Sequence, residues 1–170
     1  MKLKSDFVTN SSSSSFIVVF REKITKFEDV EHLISREAKA RQVLSDALGQ
    51  KPVKIDSSND KIVDAVATEL SHGYISGIPG YSDFQDEFCR REGIRNKELY
   101  DNRAWQQAFY REYQAVQTKA CNQEALRFLE QHDGSYYYIF NYGDEDGSFM
   151  SEMEHGGTFN SVPHITISKH

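Results

Sequence analysis

Apolar positions along this chain change period several times, and each change predicts an element. Phe16-Ile17-Val18-Val19-Phe20 is a short unbroken run rich in β-branched and aromatic residues, the pattern of a strand covered on both faces. The period then becomes helical. Phe27, Val30, Leu33, Ile34, Ala38, Leu44, Ala47 and Leu48 recur on one face, Gly49 follows as a stop, and a helix over 27–48 is predicted. Ile62, Val63, Val66 and Leu70 predict a second helix, opened by Asn59 as N-cap and closed by Gly73. Gly73 to Asp83, with Gly77, Pro79 and Gly80, reads as a loop whose Tyr74, Ile75, Ile78 and Tyr81 would let it pack as a lid. From Asn96 to His132 the helical period returns, with Trp105, Phe109, Tyr113, Val116 and Ala120 on one stripe. Asn122 is a potential cap, so one long helix or two both fit.

After the Asp133-Gly134 turn, Tyr136 to Phe140 predicts a second strand, and His164 to Ser168, behind Pro163, a third. In that last strand the side chains alternate. Ile165 and Ile167 share one face, while His164, Thr166 and Ser168, with His170 beyond them, take the other. The expected fold class is α+β: a small sheet of about three or more strands, including strands from both ends of the chain, packed with about three to five helices. One domain is expected over 1–170, with a serine-rich N-terminal arm over about residues 1–15.

Composition narrows the functional classes. The 170 residues are enough for a real core, and eleven Phe, nine Tyr and one Trp supply much of its volume. A net charge of −6, with both signs spread along the chain, offers a phosphate backbone no broad positive face, so nucleic acid is not the expected ligand. The tightest basic group, Arg90, Arg91 and Arg95, is interleaved with Glu92 and reads as a solvated helix end or loop. No run approaches the ~20 apolar residues of a membrane helix, and no apolar stretch of a signal peptide follows the basic start, so a soluble cytoplasmic protein is expected. Cys89 and Cys121 are then expected to be reduced thiols.

The stretch Ser5-Asp6-Phe7-Val8-Thr9-Asn10, followed by Ser11 to Ser15 and Phe16, resembles an N-terminal signature that recurs in uncharacterised bacterial and phage-associated proteins. The ending, from Asp144-Glu145-Asp146-Gly147 through Glu154-His155-Gly156 to His164-Ile165-Thr166-Ile167-Ser168-Lys169-His170, resembles endings of the same group. The resemblance implies membership in that group and transfers no activity and no site.

Four motifs fail on spacing. Cys89 and Arg95 stand at the C-x5-R spacing of cysteine phosphatases, but Arg90-Arg91-Glu92-Gly93-Ile94 lacks the small residues that let amides converge on phosphate. His164-Ile165-Thr166 is one half of the H-x-T module of two-histidine phosphoesterases, and none of His32, His72, His132 or His155 supplies the other half. With Gly147 at position six of a calcium loop, Met153 falls where a bidentate Glu is required. No serine stands in a G-x-S-x-G elbow.

One constellation survives. Asp144, Glu145, Asp146, Glu152, Glu154, His155, His164 and His170 crowd the last part of the chain, a mixed imidazole and carboxylate set of the kind zinc, manganese or iron accepts. Two functional readings follow. In the default, the chain is a non-enzymatic accessory or interaction domain that presents a surface to a protein partner, marked by exposed apolar residues on 96–131. In the alternative it is a metal-dependent hydrolase, with Asp144, Asp146, His155 and His164 as ligands to a divalent metal (Zn or Mn) and Glu154 as the catalytic base for a metal-bound water. A polar face turned to solvent would account for the same residues without a metal.

Overall fold

The computed structural model describes residues 13–143 and 148–169. These form an α+β fold with a four-stranded antiparallel sheet, its strands in the spatial order Val53–Lys54, Tyr136–Gly143, Ser13–Phe20, His164–Ser168. The chain divides into two compact units: a sheet unit, formed by the residues up to Lys54 together with those from Ser135 onward, and a helical unit, Ile55–Gly134.

In the sheet unit, β1 (Ser13–Phe20) is central and pairs with β3 (Tyr136–Gly143) on one side and β4 (His164–Ser168) on the other. The strands from the two ends of the chain therefore pair directly, as the sequence led one to expect. The strand starts before the apolar run, because Ser13, Ser14 and Ser15 lie opposite Gly143, Tyr142 and Asn141. The arm expected through residue 15 thus gives way at Ser13 to a strand; Ser11, Ser12 and the residues before them lie outside the described residues. β2 (Val53–Lys54) is a two-residue edge piece on β3, and the side chain of Gln50 accepts from the Ile139 amide at 3.0 Å beyond it.

Register sorts the side chains. Val18 lies opposite Tyr138 and His164, and Phe16 opposite Phe140 and Thr166, so these residues share a face with Phe20 and Tyr142. That face meets α1 (Glu37–Leu48), a 3-10 turn (Phe27–Asp29) and α6 (Ser148–His155), and its core includes Val30, Ile34, Val43, Met153 and Phe159. The opposite face carries Ile17, Val19, Ile165 and Ile167, all buried. β1 is thus covered on both faces, which explains its unbroken apolar sequence.

The helix expected over 27–48 is instead two pieces. Arg36 has φ 79° and ψ 124°, outside the helical region, and α1 begins immediately after it. Val30 and Ile34 still reach the core from the preceding turns, so the apolar spacing persists without a continuous helix.

In the helical unit, α2 (Asp60–Leu70) is capped by Asn59, whose side chain accepts from the Lys61 amide at 3.1 Å, but the helix ends at Leu70, before Gly73. α3 (Tyr81–Glu92) begins inside the expected loop, and Gly80 is its N-cap. α4 (Asn96–Asp101) and α5 (Arg103–Glu130) are separate helices. The break falls at Asn102, which accepts from the Ala104 amide at 2.9 Å, while Asn122 lies within α5 and caps nothing. Phe84, Phe88, Cys89, Leu99 and Phe109 form the core between α3, α4 and α5.

Candidate functional site

The polar residues of the sheet unit collect where the N-terminal half of β1 meets α6. β1 alternates, so Ser14 points to the same side as Phe16 and reaches the helix layer. There its hydroxyl donates to Glu154 Oε1 at 2.9 Å. Glu154 is buried despite its charge, with Met153 beside it in α6 fully buried in the core. Among the described residues its Oε2 has no hydrogen-bond partner, and it faces His155 Nε2 at 3.5 Å. A buried carboxylate oxygen without a donor is costly, and the His155 ring nitrogen is the polar atom that stands nearest to it in this contact. The sequence pattern had left Glu154 open to being the solvated side of a turn; the fold puts it inside.

A second polar contact closes the same end of α6. Lys39 of α1 is only 2% exposed, and its ammonium donates to the Gly156 carbonyl at 3.0 Å with Glu152 at 3.7 Å. Burial, and then the neighbouring Arg36 cation, push the Lys39 amine below the ordinary lysine range. Arg36 also pairs with Glu152. The close approach requires glycine at 156, since a Cβ there would stand 2.6 Å from Lys39 Nζ and 2.4 Å from the Glu152 carbonyl oxygen. Sequence reasoning passed over Lys39, and its only signal is a cation on the inner face of an amphipathic helix.

His164 occupies β4 on the face of Phe16, near the rings of Phe16 and Phe159 at centroid distances of 6.4 and 6.2 Å. Its Nδ1 lies 2.9 Å from the Val162 carbonyl, an acceptor only, so Nδ1 carries a proton and donates it there. Asp144 and Asp146 lie outside the described residues. Among the described residues, no group of three His, Cys, Asp or Glu side chains comes together to hold a metal ion. Glu154 and His155 are brought together, then, while His164 is oriented by its own local carbonyl.

At the Ser13 end of the sheet lies an open groove of about 440 Å³, walled by Ser13, Ser14, Asn141, Met150 and Lys169. Ser15 hydrogen-bonds to the Asn141 side chain, and Lys169 Nζ stands 3.5 Å from the same oxygen. Ser13, Ser14 and Ser15 therefore build strand, and the first two of them groove wall as well.

The helical unit presents a different surface. Six large hydrophobic side chains are exposed among the described residues, and four of them, Tyr100, Tyr110, Val116 and Leu126, fall within the 96–131 stretch. Tyr100 and Tyr110 are held by their hydroxyls: Tyr81 OH lies 3.5 Å from Tyr100 OH and 3.3 Å from Tyr110 OH. Tyr100 OH also donates to the buried Gln85 Oε1 at 3.0 Å. Burial, reinforced by these phenol contacts, pushes the Tyr81 phenol well above the ordinary tyrosine range, so it stays protonated as a donor. Cys89, which shares the C-x5-R spacing with Arg95, is buried in α3, and burial raises its thiol, the opposite of what a phosphatase nucleophile needs. Arg95 is paired with Glu98. Tyr74 is 60% exposed, so the segment before α3 is anchored through Ile75 and not through a fully packed lid.

No helix among the described residues is long and apolar enough to cross a membrane. In comparisons with known proteins, the chain matches no family model, no curated protein and no solved structure.

Proposed function

We propose that this chain is a non-enzymatic interaction domain that binds a protein partner on the tyrosine-bearing face of its helical unit. The observation that carries this reading is the pair Tyr100 and Tyr110, 48% and 45% exposed, with the Tyr110 hydroxyl accepting from Tyr81 and the Tyr100 hydroxyl donating to Gln85. Exposed tyrosines whose hydroxyls are anchored supply contact area at low conformational cost, and tyrosine is enriched at interfaces. Photo-crosslinking from a benzophenone side chain at position 110, with a second probe at the exposed Leu48 of the sheet unit as control, tests it. A discrete adduct from 110, absent from 48 and lost on adding Tyr100→Ser, is expected. Equal labelling from both positions refutes the assignment.

A second reading, the metal-dependent hydrolase, draws on two observations. Glu154 keeps a buried oxygen beside His155 that has no hydrogen-bond partner among the described residues, and the Nδ1 contact of His164 to a backbone carbonyl is the orientation that metal-bound imidazoles use. Its ligands would be His155 and His164, with Asp144 or Asp146 completing the shell and Glu154 as base. Metal content of tag-free protein, compared with a His155→Ala/His164→Ala double variant, decides it. Near-stoichiometric zinc or manganese lost in the variant supports the hydrolase, and no metal uptake by wild type removes it.

A further inference from the structure

We draw no further inference here: the strongest candidate, the buried Glu154 carboxylate between β1 and α6 with its Oε2 turned toward His155, belongs to the polar site already described.

Discussion

Replacing Gly156 by alanine tests whether the α1–α6 junction is held by the buried lysine. The added Cβ would fall 2.4 Å from the Glu152 carbonyl oxygen and 2.6 Å from Lys39 Nζ. The carbonyl cannot withdraw freely, because it accepts the Gly156 amide at 2.8 Å. Lys39 can withdraw only by giving up the Gly156 carbonyl at 3.0 Å, and its side chain has no solvent nearby to replace that contact. Losing a hydrogen bond to a charged donor costs about 1.5–3 kcal/mol, and forcing an extra methyl into a filled site costs about 1–3 kcal/mol. The two overlap, so the expected destabilisation is about 3 kcal/mol, a large share of a typical domain's stability. Urea unfolding followed by far-UV circular dichroism reads it as a lower midpoint at unchanged slope. In a Lys39→Met background, whose side chain brings no charge to the crowded point, the same substitution should cost at least about 1 kcal/mol less. A Gly156→Ala variant within about 0.5 kcal/mol of wild type refutes the account. Strict additivity with Lys39→Met leaves the Glu152 carbonyl as the whole obstacle and removes Lys39 from it.

Three further outcomes are expected. Ser14→Ala removes the hydroxyl that donates to the buried Glu154 carboxylate and should cost about 2 kcal/mol, whereas Glu154→Gln, which keeps an oxygen to accept from Ser14 and buries no charge, should cost less than about 1 kcal/mol; urea titrations of both variants check the order. Asn102→Ala removes the cap of α5, and thermal unfolding should show a loss of about 1 kcal/mol, while Asn122→Ala, inside the same helix, changes little. His132 lies against Phe128 with ring centroids 5.0 Å apart, and burial holds its imidazole below the usual 6.5. A base with a depressed folded pKa favours the fold when neutral, so its contribution is full above pH 6.5 and is lost as pH falls through the lower folded value. His132→Phe should flatten that part of the stability profile on the acid side of neutrality, and an unchanged slope in urea titrations at stepped pH refutes the assignment.

Much of the sheet was legible in the sequence. The apolar run from Phe16 and the alternation in His164–Ser168 are properties of the strand period itself, so both strands, and the division of Ile165 and Ile167 from His164 and Thr166, follow without long-range information. The Asn59 cap is equally local. Elements whose limits depend on partners were less accessible. The spacing of Val30 and Ile34 fits a helix, yet the chain turns at Arg36, because apolar periodicity reports which side chains are inward and not whether the backbone between them is continuous. Tyr81, Phe84, Phe88 and Cys89 do carry helical spacing, but the glycines just before them masked the start of α3.

For the candidate site, the sequence determined that carboxylates and imidazoles would be close together along the chain near its end, and that serines would precede the first strand. Only the tertiary structure decided their surroundings. Pairing β1 with β3 and β4 carries Ser14 across 140 residues of chain to Glu154, and docking α1 on the sheet brings Lys39 to Gly156. Charge and composition cannot report such meetings, because burial of an ionisable group depends on which elements pack over it. A glutamate in a turn and a glutamate in a core are the same letter; the donor from a distant strand separates them.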